Sequence, residues 1–239
     1  MDSWLRRDTE TKGIKAPMRL FATFHYTLKK NMKDSNPSSN GGVQIGAANA
    51  SQPISAPREP RTVFIYFNAP IIPETARNLM GAVLSSQQYK PERIYIAMSS
   101  QGGHVDSGIS IHHFLKGLPI EIVTHNMGSV DSIANILFLA GTTRYAATNS
   151  SFMLHGVSFG VAKDTNISSS QLHEILSGMK GNERRIAGIL AANAKLTDDE
   201  ITGLFGQGES KDPEFALEKG IIHGIRELSI PKGAIILAV

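Results

Sequence analysis

The chain has 239 residues, with 24 Lys and Arg, 21 Asp and Glu, a formal net charge of +3 and no cysteine. This length is enough for one large domain with a sizeable core. The absence of cysteine excludes disulfides, zinc–thiolate sites and cysteine nucleophiles, and it suits the reducing cytoplasm in which we expect the protein. No apolar run approaches the roughly 20 residues that span a bilayer, so we expect no membrane partner.

The first 60 residues are predicted to form a basic, largely flexible N-terminal extension and linker. Residues 1–61 hold 10 of the basic and 5 of the acidic residues, so the positive charge is concentrated there. Residues 34–60 are rich in Ser, Asn, Gly, Pro and Ala and cannot bury enough apolar surface to offset their ordering entropy. Arg6 and Arg7 are not followed by an apolar core, so we expect no secretory signal. No nucleic-acid-binding motif accompanies the charge, and we expect no nucleic-acid partner.

Residues 61–239 are predicted to form a domain in which strands and helices alternate. β-Branched and aromatic runs predict strands, and apolar residues at helical spacing predict helices. The predicted strands are 62–67, 93–98, 120–125, 144–147, 151–155, 221–225 and 234–239. The predicted helices are 73–88, 105–118, 132–140, 168–195, one beginning at 197, and 213–219. Such alternation favours parallel βαβ units, with chemistry at the carboxyl ends of the strands.

The first of three candidate segments is SSQGGHVDSG, which follows the second strand. Gly102 and Gly103 permit backbone conformations that other residues avoid, and their N–H groups could be directed at an oxyanion. An ordinary glycine-rich turn between a strand and a helix is the alternative.

The second segment is MGSVDSIANILFLAG, in which Ser132 opens an apolar helix after Gly128. A serine at such a helix start has an exposed Oγ, and neighbouring N–H groups can stabilise an anion. The alternative is that Ser129, Asp131 or Ser132 caps the helix. The G-x-S-x-G signature of the α/β-hydrolases is absent here.

The third segment is NSSFMLHG, where His155 ends an apolar strand 23 residues after Ser132. An imidazole there could accept the proton of a serine hydroxyl. A histidine bonded to the backbone at a strand end is the alternative. His112 and His113 are adjacent on a helix and face different directions, so no metal site is expected from them.

Together and in this order, the three segments resemble the proteolytic subunit of the ATP-dependent Clp protease family. Residues 100–103 are similar to that family's S-P-G-G loop, residues 128–134 to its G-x-A-A-S-M-G helix start, and residues 149–155 to its N-S-x-x-M-I-H strand. Further similarity at residues 66–71 and 216–222 extends the resemblance over about residues 62–226.

The resemblance implies an α/β fold of the crotonase-like (Clp protease) type, a ββα spiral core with an extended handle helix beginning near Ser168. It implies a serine endopeptidase with Ser132 as nucleophile and His155 as general base. The backbone N–H groups of Gly103 and Ile133 would form the oxyanion hole. It further implies a homo-oligomeric ring, a peptide or unfolded-protein substrate and an ATPase unfoldase as partner, with no metal or other cofactor.

The sequence departs from the family pattern at several positions. Gln101 replaces a proline, and Asp131 precedes the nucleophile where the family has a small apolar residue. The family's third catalytic residue, an aspartate, falls on Leu204, which cannot orient an imidazole. We therefore expect Glu209 or Asp212, in a predicted loop over residues 206–212, to supply this third member.

Two alternatives to an active peptidase remain open from the sequence. One is a catalytically weak or inactive Clp-like ring subunit that assembles with an active paralogue, which Leu204 favours. The other is a crotonase-fold enzyme acting on acyl-CoA, which would not need both Ser132 and His155. An apolar stripe along the long helix predicts a homo-oligomer, whether the ring subunit is active or inactive. The residues of this stripe are Ile175, Leu176, Met179, Ile186, Ile189 and Leu190.

Overall fold

The computed structural model describes residues 58–163 and 165–239. The predictions made for residues 1–57 lie outside this range. The strands are β1 (Thr62–Asn68), β2 (Arg93–Ser100), β3 (Glu121–Asp131), β4 (Thr143–Ala146), β5 (Ser151–Met153), β6 (Ser210–Lys211), β7 (Gly224–Ile225) and β8 (Ile235–Ala238). The helices are α1 (Pro73–Ser86), α2 (Val105–Lys116), α3 (Ala134–Phe138), α4 (Ser169–Asn193), α5 (Asp198–Gln207) and α6 (Pro213–Glu218).

The strands form one sheet in the order β6-β5-β3-β2-β1-β8, with β4 beside β3 and β7 beside β4. Neighbouring strands are parallel except β5 and β6, which are antiparallel. Helices α1 and α2 connect β1 to β2 and β2 to β3, as parallel pairing requires. The predicted α/β alternation is therefore confirmed, and β6 is a strand that the sequence did not predict.

Strand β3 serves two neighbours in succession, because its first half pairs with β4 and its last three residues pair with β5. Its register against β2 shifts between Met98 and Ser100. Side chains satisfy the backbone at this irregularity, since Asn126 Nδ2 donates to the Ser151 carbonyl at 2.7 Å and Ser99 Oγ accepts from Ser129 N at 3.2 Å. The prediction that this strand ends at residue 125 was thus wrong, and β3 continues directly to Ser132.

The main core lies between the sheet and the first three helices. All five residues of α3 are buried, which explains why all of them except Asn135 are apolar. Phe138 of α3 packs edge-to-face against Phe152 of β5, with ring centroids 5.4 Å apart. The candidate helix start after Ser132 is therefore fixed by the core on one side and by β5 on the other.

A buried arginine fastens the sheet to the C-terminal part of the chain. Arg144 of β4 is 6% exposed. Its guanidinium donates to the carbonyl oxygens of Gly141, Asn193, Gly220 and Ile221 at 2.6–3.1 Å. These four carbonyl oxygens, rather than a carboxylate, accept the hydrogen bonds of the guanidinium and stabilise its buried positive charge.

Helix α4 is only partly covered by the rest of the described chain. Ile186 in its C-terminal part is buried, whereas Leu172 and Leu176 in its N-terminal part are 51% and 46% exposed. Phe159 and Val161, which precede the helix, are also more than half exposed, and a groove of about 450 Å³ lies beside them. Within the described ranges, no helix is both long and apolar enough to cross a membrane.

Candidate active site

Ser132 occupies a strained turn between β3 and α3. Its φ is +56°, in the left-handed region that side chains other than glycine rarely adopt. The turn is held on both sides, because Ser132 N donates to the Met153 carbonyl at 2.7 Å and the Ser132 carbonyl accepts from Asn135 N at 3.1 Å. Strain that the surrounding structure maintains in this way is common at functional sites.

Asn135 holds the same turn with its side chain, and the sequence analysis missed it. Its Nδ2 group lies 3.1 Å from the Val130 carbonyl, 3.1 Å from the Ser132 carbonyl and 2.9 Å from the Met153 carbonyl. Asn135 is buried, and its Oδ1 has no partner among the described residues. The available signal was one polar residue within the otherwise apolar run IANILFLA.

The glycine loop after β2 packs directly against the serine turn. Gly102 and Gly103 have φ of +85° and +142°. A Cβ on Gly102 would lie 2.7 Å from Ser132 Cβ, and one on Gly103 would overlap the Ile71 carbonyl oxygen. Among the described residues, no acceptor is found for the N–H groups of Gly103 and Ile133, which leaves both available to a bound oxyanion.

His155 follows β5 and is held by the backbone. Its Nδ1 lies 2.7 Å from the carbonyl oxygen of Gly156. The next residues are fixed in turn, because Gly156 N donates to the Phe205 carbonyl at 3.0 Å and Val157 N donates to Glu183 Oε1 at 3.1 Å. In the part of the chain that the structure describes, no hydrogen bond joins the Ser132 and His155 side chains.

One small cavity, of about 60 Å³, is lined by Gly103, Ser132, Ile133 and His155 together. The structure therefore brings the four residues singled out for catalysis and the oxyanion hole to a single place. The other lining residues are Val105, Leu154, Gly156, Val157, Ser158, Ile186 and Phe205. These walls are mainly apolar, so the cavity offers an apolar side chain a dry environment next to the serine.

Neither of the two carboxylates expected to orient His155 is bonded to it. Glu209 pairs with Lys211 at 2.8 Å, and this hydrogen bond lowers the pKa of the Glu209 carboxyl. Asp212 accepts from Phe215 N at 2.8 Å and caps α6.

The pairing of β5 with β6 gives the reason for the position of Glu209. Phe152 lies opposite Lys211 and Met153 lies opposite Ser210. Gly208 ends α5 in the left-handed conformation, and a Cβ on it would lie 3.8 Å from His155 Cβ. Glu209 lies between this glycine and β6, where its carboxylate bonds to Lys211. The predicted loop over residues 206–212 is instead the end of α5 followed by β6.

Asp131 is the charged group next to the serine turn. Burial raises the pKa of its carboxyl, and the Ser129 side chain and His155 oppose this effect. From the sequence, Asp131 was expected only as a possible helix cap and as a departure from the family pattern.

Histidines outside the cavity have structural partners. His112 is buried, and its Nδ1 contacts the Ile136 carbonyl at 2.8 Å. Burial is the largest influence on its pKa, which is lowered. No group of three or more His, Asp or Glu side chains suited to a metal ion occurs within residues 58–163 and 165–239.

The fold and the family membership follow from comparison with known proteins. The mixed α/β sheet with its covering helices is of the Clp protease, crotonase-like class. The family model described as Clp protease matches residues 48–228, more than half of the chain. The chain therefore belongs to the Clp protease family, which confirms the predicted family and fold.

Individual relatives are similar at modest identity. The ATP-dependent Clp protease proteolytic subunit 3 of Rhizobium johnstonii is 32% identical over 143 residues, covering 58% of this chain and 70% of that protein. Proteolytic subunit 1 of Streptomyces coelicolor is 24% identical over 191 residues, covering 79% and 84%. A solved structure of a mutant ClpP1 from Listeria monocytogenes shares the fold with a TM-score of 0.61 at 23% identity, covering 70% of this chain and 92% of that one.

Proposed function

We propose that this chain is a serine endopeptidase subunit of the Clp type, which hydrolyses peptide bonds through an acyl-enzyme on Ser132. The observation that carries the proposal is the strained Ser132 turn, which shares one cavity with His155 and the N–H groups of Gly103 and Ile133. Membership in the Clp protease family favours this chemistry over acyl-CoA conversion on the same fold.

In the acylation step, Ser132 Oγ attacks the carbonyl carbon of the scissile peptide while its proton passes to His155 Nε2. The negative charge that develops on the carbonyl oxygen is met by the N–H groups of Gly103 and Ile133. The C–N bond then breaks, and the proton on His155 passes to the departing amine. The Gly156 carbonyl suits this role of His155, because it accepts a hydrogen bond from Nδ1–H and leaves Nε2 as the basic nitrogen.

Water completes the reaction by the reverse sequence of proton transfers. His155 Nε2 takes one proton from the water as its oxygen attacks the ester carbon. The proton then returns to Ser132 Oγ as the acyl–oxygen bond breaks, and a carboxylate product leaves. The Glu183 contact to Val157 N fixes the segment after His155, so the imidazole stays beside the serine in both steps.

The cavity next to Ser132 supports a preference for apolar side chains on the acyl side of the cleaved bond. Its walls include Leu154, Ile186 and Phe205, and its volume of about 60 Å³ suits a small aliphatic group. A charged side chain would be desolvated there without a partner, which costs several kcal/mol.

Assembly into a homo-oligomeric ring is the second part of the proposal. The exposed leucines of α4, Leu172 and Leu176, together with Phe159 form an apolar surface that a second copy would cover. The related subunits are named as ATP-dependent. Because this sequence has no P-loop motif, any ATP used would be hydrolysed by an ATPase unfoldase partner.

A ring subunit without activity of its own is the second candidate. It is favoured by two absences within the described residues: no hydrogen bond joins Ser132 to His155, and no carboxylate is bonded to His155 Nδ1. Catalytic hydrogen bonds are often long or poorly aligned before substrate binds, and they shorten in the enzyme–substrate complex. The missing Ser132–His155 hydrogen bond is therefore also compatible with an active enzyme.

Labelling with a fluorophosphonate separates the two candidates, since only an activated serine reacts. We expect wild type and Ser85→Ala to be labelled and to cleave a fluorogenic peptide, and Ser132→Ala to do neither. Ser85→Ala is the matched control, because it removes a hydroxyl from an exposed position of α1, away from the cavity. Unlabelled, inactive wild type in an intact ring would support the silent subunit, and undiminished cleavage by Ser132→Ala would exclude Ser132 as the nucleophile.

A further inference from the structure

We propose that Asp131 is a positioning residue that supplies the negative charge facing His155, in place of a carboxylate from the segment that contains Leu204. This inference rests on the proposed peptidase function. It assigns to the residue before the nucleophile the task of stabilising the imidazolium that forms when Ser132 gives up its proton.

The pairing of β3 with β5 brings Asp131 and His155 to the same face of the sheet. Asp131 lies opposite Met153, and Val130 lies opposite Phe152. Val130 and Phe152 are fully buried and point into the core, so Asp131 and Met153 point to the other face. His155 is two residues after Met153 and shares its face if the alternation continues.

The alternation of buried and half-buried residues continues past the end of β5. Leu154 is buried, like Phe152, whereas Met153 and His155 are both half-buried. With about 4.8 Å between strands and about 6.6 Å for two residues along a strand, the Cα atoms of Asp131 and His155 are about 8 Å apart. This is the separation of diagonal neighbours, whose longer side chains can reach each other.

The other charged groups near this pair come from α4 and from the segment 209–211. From α4, Glu183 Oε1 accepts a hydrogen bond from Val157 N, two residues after His155. From β6, Glu209 and Lys211 pair with each other. In the described part of the chain, His155 is the ionisable group found to act on the Asp131 carboxyl.

The chemical effect follows from the partial burial of the site. A carboxylate near the imidazole stabilises its protonated form, and it does so more strongly in a half-buried site than in water. Because His155 receives a proton from Ser132 or from water during the reaction, this stabilisation lowers the barrier to acylation and deacylation. Burial also raises the pKa of the Asp131 carboxyl, and the neighbouring His155 opposes this effect.

The test is the pH dependence of peptide cleavage and of fluorophosphonate labelling by the full chain carrying Asp131→Asn, which keeps the shape and removes the charge. We expect kcat to fall about tenfold or more with KM nearly unchanged. We also expect the acidic limb of the kcat/KM profile to move to lower pH, because a nearby carboxylate favours the protonated form of an imidazole. Asp131→Glu should retain the wild-type limb, and Glu74→Gln, which removes a charge from an exposed position, should change neither quantity.

The outcomes separate this inference from the proposed function. If Ser132→Ala keeps activity, the peptidase assignment fails. If Ser132→Ala is inactive but Asp131→Asn leaves kcat and the acidic limb unchanged, the inference about Asp131 alone is refuted. A lower kcat with an unmoved limb would also refute it, because that result indicates a purely structural role. Should Asp131→Asn fail to fold, Asp131→Glu decides: a kcat near that of wild type supports the role of the charge, and a tenfold lower kcat with an unmoved limb refutes it.

Discussion

Substitution of Asn135 tests whether its side chain holds the serine turn. Its two amide hydrogens serve three backbone carbonyls, those of Val130, Ser132 and Met153. Asn135→Ala leaves these buried oxygens with fewer donors and opens a small void. Asn135→Leu fills the space and also removes the Oδ1 atom that has no partner. Asn135→Asp keeps the shape but turns a donor into an acceptor facing three oxygens.

The magnitudes follow from these contacts. Two neutral hydrogen bonds contribute about 1 kcal/mol each, so Asn135→Ala should lower the free energy of unfolding by about 2–3 kcal/mol once the void is included. Asn135→Leu should lower the free energy of unfolding by less, about 1–2 kcal/mol, because leucine fills the space and carries no unpaired polar atom. Asn135→Asp should cost about 3–5 kcal/mol, as an unpaired buried charge does.

Urea unfolding at one fixed protomer concentration measures these differences without a change in assembly. In thermal melts, each 1 kcal/mol corresponds to about 2–4 °C for a domain of this size. We expect the order of stability to be wild type, Leu, Ala and then Asp. Equal stability of the Leu and Asp variants, or a loss below about 0.5 kcal/mol for Ala, would refute the view that donation to the three carbonyls is what fixes the turn.

Three further predictions concern other parts of the site and its assembly. Gly103→Ala should abolish peptide cleavage and cost about 1–3 kcal/mol, since its φ of +142° and its contact with a backbone carbonyl exclude a Cβ; wild-type turnover would contradict this. Leu176→Glu should lower the mass measured by light scattering from that of an oligomer toward the 25.8 kDa protomer, and Ser177→Glu should leave it unchanged. Equal masses for the two variants would argue against α4 as an interface. Glu209→Ala and Asp212→Ala should each change kcat by less than about threefold, because their carboxylates are bonded elsewhere; a tenfold loss for either would restore it as the third catalytic member.

Most of the elements near the site could be predicted because their signals are local. Thr197 and Glu200 form a capping box at the predicted start of α5, and Ser168 caps α4 at its predicted start. The apolar run after Ser132 is a buried helix, as its composition indicates. In each case the residues that determine the structure are adjacent in sequence.

The features that could not be predicted depend on pairing between distant segments. The extension of β3 through residues 126–131 relies on Ser99 and Ser151, which are far away in the chain. The position of Glu209 is set by the register of β6 against β5, and a two-residue strand carries no periodicity. The bonds of Asn135 likewise join two strands, so its role became visible only in three dimensions.

The buried guanidinium of Arg144 has a consequence for the order in which the chain folds. Its acceptors at Asn193, Gly220 and Ile221 lie 49–77 residues later in the sequence. A chain emerging from the ribosome therefore completes β4 long before the carbonyls that solvate this charge exist, and burial of Arg144 in that interval would be strongly unfavourable. The sheet around β4 should accordingly close late, after residue 221 has been made, and the interval leaves apolar strands exposed to chaperones.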